Sequence, residues 1–303
     1  MNQLRRACAL VAERASQVRV EHESIGAYAA ALELDSGPIP DPQEPPLRGS
    51  REQLAAFWLT LDAVNFGSGW FPTLRKPDGR SGYHTISASL RDRYQRQGPW
   101  RAAELRTLDS AAIAGVLGQD PEHELMALFA RSLADLGERV ASEHGGSFSA
   151  VIDAAGGSAV ALAQGLGRWP CFTDSSRYGE LEISFLKRAQ IAAADLARAG
   201  VAEWDDLDGL TMFADNLVPH VLRLNGILSF ELELVERIER GELIEHGSPE
   251  EVEIRACALH AVELIVAARP GARAADIDQL LWIRGQGPDY KASPRHRSRC
   301  TAY

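Results

Sequence analysis

Apolar residues recur along most of this chain at three- and four-residue steps, the period that lays one face of an α-helix against a core. The pattern predicts helices over Leu4 to Val18, Ser24 to Leu34, Gln53 to Val64, Ala102 to Leu108, Ser110 to Leu117, Glu122 to His144, Ala155 to Leu166 and Leu181 to Ala199. In the last of these Leu181, Phe185, Ala189, Ala192 and Leu196 form the stripe, and Gly200 is the expected stop. Strand candidates are few. Late in the chain Ser248 can cap a helix that begins at Pro249, with Glu250 and Glu251 at its positive end and Ala268 at its close. Arg269-Pro270-Gly271 ends it, and a shorter helix over Ala274 to Arg284 precedes the basic tail Pro294-Arg295-His296-Arg297-Ser298-Arg299.

Two stretches break the periodicity. Gly37 to Gly49 holds Pro38, Pro40, Pro42, Pro45 and Pro46 and reads as an extended connector, because proline removes the backbone donor that a helix or central strand needs. Gly67 to Gly82 mixes glycine, aromatics and turn residues and reads as a packed or functional loop. The expected organisation is an N-terminal helical pair with connector over 1–49, followed by a helical body over 50–303 that carries the basic tail, the two integrated in one globular unit. The fold class expected is all-α.

Composition narrows the chemistry. With 303 residues, 45% of them hydrophobic, the chain can bury a large core. A net charge of −10, with basic residues interspersed among acids, argues against a broad footprint for duplex nucleic acid and favours a small-molecule partner. Cys8, Cys171, Cys257 and Cys300 stand far apart, without a CxxC or Cys/His spacing, so neither a disulfide framework nor a structural metal centre is expected. A reducing cytoplasm is the expected compartment: Arg5, Arg6, Glu13, Arg14 and Arg19 interrupt any apolar leader, and no run approaches the ~20 apolar residues that span a bilayer.

Ionisable groups set in apolar helical surroundings mark the candidate chemistry. Lys187 lies within Phe185-Leu186-Lys187-Arg188-Ala189-Gln190, and Asp215 closes Leu210-Thr211-Met212-Phe213-Ala214-Asp215. Each also has a structural reading: Asp215 as a helix cap, Lys187 as an amphipathic side chain that snorkels or pairs with an acid.

Those two segments also carry a family resemblance. Together with Phe57-Trp58-Leu59, Asp62-Ala63-Val64-Asn65-Phe66, Glu251-Val252-Glu253-Ile254-Arg255 and the terminal His296-Arg297-Ser298-Arg299-Cys300-Thr301-Ala302-Tyr303, they resemble the queuosine salvage family. Its members are queuosine 5'-phosphate N-glycosylases, which release the 7-deazaguanine base queuine for reuse in tRNA. The resemblance covers roughly Ser50 to Tyr303. It implies an all-helical hydrolase with no metal or cofactor, related in architecture to helix-hairpin-helix DNA glycosylases, acting on a free nucleotide.

What it implies for the site follows residue by residue. Asp215 is expected to stabilise the positive charge that develops on the ribose ring, or to orient the attacking water, with Lys187 keeping it ionised. Phe213 is expected to stack on the base, while Asp278 and Asn65 accept hydrogen bonds from it. His296, Arg297 and Arg299 are expected to hold the 5'-phosphate. Gly67-Ser68-Gly69, Asn216-Leu217 and Ile283 depart from the family pattern beside this pocket and bear on base preference. The competing function is a non-catalytic module that sequesters a modified base or nucleotide.

Overall fold

The computed structural model describes residues 1–34, 41–77 and 79–303, in which helices predominate and the strands form two small antiparallel pairs. The expectation for Gly37 to Gly49 lies in part outside the described residues. From Asp41 to Gly49 the chain is neither helix nor strand. No helix among the described residues is long and apolar enough to cross a membrane.

The chain divides into two compact units, each gathered from separate stretches of sequence. The first comprises Met1–Asp41, Ser175–Lys187 and Asp208–Cys300. At its centre runs the helix Pro249–Ala268, capped as expected by Ser248, whose Oγ accepts from the Glu251 amide at 3.3 Å. Val252, Ile254, Ala256, Cys257, Ala258, Leu259, Ala261, Val262 and Ile265 are all buried, so apolar residues surround this helix rather than forming a stripe. The helices Asn2–Arg14 and His22–Ala31 and the strand Val18–Val20 pack on it.

Several expected helices are shorter in the structure, Ala102–Leu105 and Ala159–Leu166 among them, and in two cases the reason is tertiary. The helix predicted over Leu4 to Val18 ends at Arg14. There the buried Glu253 carboxylate accepts from the amides of Ser16, Gln17 and Val18, at 3.1, 2.6 and 3.1 Å, and from the Tyr178 hydroxyl at 2.8 Å. The chain then turns into the strand Val18–Val20, which pairs with Leu228–Phe230. The helix predicted from Leu181 starts only at Lys187. Leu181–Ser184 is instead a strand paired with Ser175–Tyr178, and the connecting turn places Gly179 at φ 56°, a left-handed conformation that glycine adopts without steric cost. The stripe spacing hid a local alternation in which Ile183 is buried while Glu182 and Ser184 are exposed.

The second unit comprises Pro42–Asp174, Arg188–Leu207 and Thr301–Tyr303. Its longest helix, Glu124–His144, packs against Ala102–Leu105, Ser110–Leu117 and Arg51–Ala63. Side chains cap most helix starts: Ser50 closes a reciprocal box with Gln53, and Asp109, Ser147 and Ser158 each accept an amide of the following turn. Gly137 is required by close approach, since a Cβ there would lie 2.5 Å from the Ala102 carbonyl oxygen. At the end of Arg51–Ala63 the buried Arg188 donates to the carbonyls of Ala63 and Cys171 and lies over the Phe66 ring, 5.0 Å from its centroid. A cation at a helix C-terminus is favourably placed, and this one fixes the entry to the Asn65–Gly67 turn. Among its described residues the irregular stretch Gly67 to Gly82 contains one turn of 3-10 helix, Phe71–Thr73; a further helix, Gly82–Gln97, follows it that the periodicity does not reveal.

Candidate functional site

The segment leading to Asp215 is buried from Leu210 to Ala214 and clamped by charged side chains of neighbouring helices. Asp278, 4% exposed on the helix Ala274–Gly285, accepts from the Phe213 amide at 2.9 Å. Arg255, fully buried on Pro249–Ala268, donates from Nε to the Ala214 carbonyl at 2.9 Å; its guanidinium lies 4.0 Å from the Phe185 ring centroid and its Nη1 is 3.4 Å from Glu251 Oε1. Two consecutive residues are thus held immediately before Asp215.

Asp215 itself is half-buried, and its Oδ1 accepts from the amides of Leu217 at 2.8 Å and Val218 at 3.0 Å. Those bonds form a side-chain turn just ahead of the short helix Val218–Leu224, whose N-cap position is Leu217, so Asp215 orders the approach to the helix without being its cap. The other oxygen, Oδ2, makes no hydrogen bond among the described residues. One carboxylate oxygen is therefore fixed by the backbone and the other is available, which is the arrangement needed to aim a negative charge at an electrophilic carbon or at a water molecule.

The basic tail is docked on the same unit. Asn216 Nδ2 donates to the His296 carbonyl at 2.9 Å, the Ile244 amide donates to the Arg297 carbonyl at 2.9 Å, and Leu243 and Arg297 form an isolated parallel bridge. Burial alternates along it: His296, Ser298 and Cys300 are buried, whereas Arg295 and Arg297 are half-buried and Arg299 is exposed. This is the period-2 alternation of an extended strand. Burial pushes the His296 imidazole down to about 3, so it is neutral near pH 7 and contributes hydrogen bonding rather than charge. Arg297 Nη2 donates to the Gly241 carbonyl at 3.3 Å. Arg295, not singled out from the sequence, is the cation that senses Asp215: burial lowers its pKa, Asp215 opposes that shift and Arg297 adds to it. The signal available in the sequence was its place two residues before Arg297, on the same side of an extended segment.

The remaining candidates divide between the units. Phe213, 3% exposed, and Lys187, 5% exposed, belong to the first. Lys187 opens the helix Lys187–Arg198 directly after Leu186, whose φ of 56° is the only positive value at a non-glycine among the described residues. Such strain in a bulky residue is retained only where surrounding structure imposes it. Asn65 belongs to the second unit, half-buried, with its amide donating to the Asp62 carbonyl at 3.2 Å. Trp70, in the same unit, is a core residue whose indole donates to Glu124 at 2.7 Å. Among the described residues no group of three or more His, Cys, Asp and Glu side chains is placed to hold a metal ion.

The clamp on Ala214 depends on a buried charge cluster. Burial opposes ionisation of Glu251, but Arg255, His246 and the Gly247 amide outweigh it and hold the carboxyl at about 2. Hydrogen bonds to Cys300 and Glu251 likewise outweigh burial at His246 and raise it to about 10. A lowered carboxyl stabilises the fold above its unfolded value of 4.5, and that contribution disappears as pH falls through about 2. A raised imidazole stabilises below 6.5, and its contribution disappears as pH rises through about 10. Chemical denaturation is therefore expected to show greatest resistance between about pH 4.5 and 6.5 from this cluster, with the Glu251 contribution on the order of 3 kcal/mol. His246→Asn should flatten the decline between pH 7 and 10; an unchanged slope would remove His246 from the account.

The sequence is similar to known proteins of one family. The sequence model described as queuosine salvage protein matches residues 46–303. The queuosine 5'-phosphate N-glycosylase/hydrolase of Sphaerobacter thermophilus is 36% identical over 97% of this chain and 95% of its own length. The proteins of the same name from Mus musculus and Dictyostelium discoideum are 27% and 31% identical, over 99% and 82% of this chain and 98% and 77% of theirs.

Proposed function

The chain belongs to the queuosine salvage protein family, and from that premise we propose that it hydrolyses the N-glycosidic bond of queuosine 5'-phosphate to queuine and ribose 5-phosphate. The observation that carries this reading is near-complete alignment with a hydrolase of that name, 36% identical over 97% of the chain. Asp215, with one oxygen fixed and the other open, fits the chemistry.

In the proposed reaction the bond between the anomeric carbon and the base breaks, its electron pair leaves with the base, and the ribose ring gains positive charge. The Asp215 carboxylate stabilises that charge and orients the water whose oxygen bonds to the anomeric carbon; the water's proton is released as the base takes one up. A 7-deazapurine lacks the ring nitrogen at position 7 that a purine presents for protonation, so the pocket must stabilise the departing base through its other heteroatoms. Phe213 is assigned to stack on the base and Asp278 to hydrogen-bond it. The tail carries the phosphate contacts, with Arg297 and Arg299 as cations and His296 as a neutral donor. The departures at Asn216-Leu217 and Ile283 adjust which deazapurine fits best.

Lys187 is assigned to support the ionised carboxylate, and Leu186 to aim it. Leu186→Gly relieves a left-handed conformation that costs an L-residue about 1–2 kcal/mol, while giving up a half-buried side chain. Stability should change little, but kcat should fall roughly 10- to 100-fold as the exit direction of Lys187 loosens. Unaltered kcat in a folded Leu186→Gly protein would count against the assignment.

The reaction is tested by chromatographic detection of free base after incubation with queuosine 5'-phosphate, beside guanosine 5'-phosphate. Queuine release from the first alone is expected. Nucleotide binding without any base release would instead identify a sequestering module.

A further inference from the structure

We propose that Cys300 is a modification site, a thiol that small hydroperoxides oxidise, with His246 as its activating partner and Glu251 as the group that orients the imidazole. The three residues belong to the first unit. The proposal goes beyond the functional reading above and does not depend on it.

The backbone brings the pair together. Leu243 and Arg297 form a parallel bridge, and the Ile244 amide donates to the Arg297 carbonyl at 2.9 Å. An equal step along each segment, 243 to 246 and 297 to 300, leads to His246 and Cys300, so the register that docks the tail also sets the imidazole beside the sulfur. The two side chains are hydrogen-bonded. On its other side the ring meets a fixed acceptor. His246 Nδ1 is 3.3 Å from Glu251 Oε1, while Glu251 accepts from the Gly247 amide at 3.1 Å and lies 3.4 Å from Arg255 Nη1. Nucleophile, imidazole and carboxylate thus stand in series, the order in which a cysteine sulfur is made reactive.

The other cysteines are buried more deeply. Cys8 and Cys257 are 0% exposed and Cys171 is 4% exposed, against 7% for Cys300. Burial pushes the Cys8 and Cys171 thiols well up and the Cys257 thiol up to about 12. Cys300 follows the exposed Arg299, and the His246 side chain is half-buried, which leaves an approach along the imidazole for a reagent of a few atoms.

The oxidation is complete with the hydroperoxide as the only co-reactant. The sulfur attacks one peroxide oxygen; an S–O bond forms, the O–O bond breaks, and its electron pair leaves with the other oxygen. That oxygen takes a proton from His246, which is cationic near pH 7 because its pKa is raised to about 10, and the thiol proton restores the imidazolium. Sulfur is oxidised by two electrons to the sulfenic acid, and the hydroperoxide is reduced to an alcohol or, for hydrogen peroxide, to water. The added oxygen changes the partner of His246 and, through Glu251, the surroundings of Arg255, so oxidation weakens the cluster that tethers Ala214.

The test treats the folded full chain with hydrogen peroxide in the presence of dimedone, which traps sulfenic acids, and locates the adduct by peptide mass spectrometry. An adduct at Cys300 alone is expected, formed faster than at Cys300 in the same chain unfolded in urea, where the imidazole is no longer held beside the sulfur. In His246→Asn and His246→Gln its rate should fall at least about tenfold, and Cys300→Ser should form no adduct while folded. Unfolding curves establish which variants are folded. Oxidised without dimedone, the unmutated protein should unfold at lower denaturant than before, and dithiothreitol, which reduces a sulfenic acid, should restore the midpoint. Adducts at Cys8, Cys171 or Cys257 in the folded protein, slower reaction of Cys300 folded than unfolded, or an unchanged rate in a folded His246 variant would overturn the assignment. An unmoved midpoint in fully oxidised protein would refute the link to the Ala214 tether.

Discussion

Asp215→Asn is expected to lower kcat by about 10³-fold or more while leaving the fold intact, since a carboxylate opposed to developing positive charge commonly supplies several kcal/mol of barrier lowering. The substitution is informative because of what Asp215 does structurally. Its Oδ1 accepts the amides of Leu217 and Val218, and an asparagine carbonyl can accept the same two bonds. The two bonds are kept and the charge is removed. The unfolding midpoint should therefore stay close to that of the unmutated protein, substrate should still bind, and free base should fall below detection in the chromatographic assay. A variant that retained turnover within about tenfold would return Asp215 to a purely structural role in its turn, because an effect that small is within reach of a displaced turn. Asp215→Ala is the less useful change, since it removes the turn bonds and the charge together and mixes a stability loss of about 1 kcal/mol with the catalytic one.

Arg255→Met is expected to cost about 3–5 kcal/mol of stability and to reduce turnover in whatever protein remains folded. Arg255 is fully buried, so its removal leaves Glu251 charged in the interior and the Ala214 carbonyl without its donor. His246, raised to about 10, still faces Glu251 and keeps the loss from being larger. Pairing the change with Glu251→Leu should recover much of the stability, since replacing a buried ion pair with apolar side chains is often neutral. It should not recover kcat, because the Ala214 carbonyl would still lack its tether immediately before Asp215. Denaturant unfolding and steady-state base release on the single and double variants separate the two effects. Full recovery of both in the double variant would show that the clamp serves stability alone.

Where a helix is specified by neighbours in the chain, its limits could be read directly. Ser110–Leu117 has its cap, Asp109, next to it in sequence, and Pro249–Ala268 has Ser248 and Pro249 at one end and Arg269-Pro270 at the other. Where distant groups intervene, the reading failed. Glu253, more than two hundred positions away, draws the amides of Ser16 to Val18 out of a helix that the apolar stripe would have continued. Glycine, serines and arginines weaken the stripe of Gly82–Gln97, yet Gly82 seats against Phe71, where a Cβ would come within 2.2 Å of the ring, and Arg91 pairs with Glu44 at 3.2 Å.

The site shows the same division. The sequence alone marked Asp215, Lys187, Phe213, Asp278 and the basic tail, because ionisable residues in apolar settings and a run of arginines are visible without coordinates, and because their order resembled a known family. It also determined the predominance of helix, through a period that each segment carries within itself. The tertiary structure decided which oxygen of Asp215 is engaged, that Arg255 and Asp278 hold the peptides before it, and that burial favours the neutral form of His296. The physical reason is range. Periodicity and capping are fixed by residues a few positions apart, whereas the protonation and direction of a buried charge depend on which groups folding brings beside it.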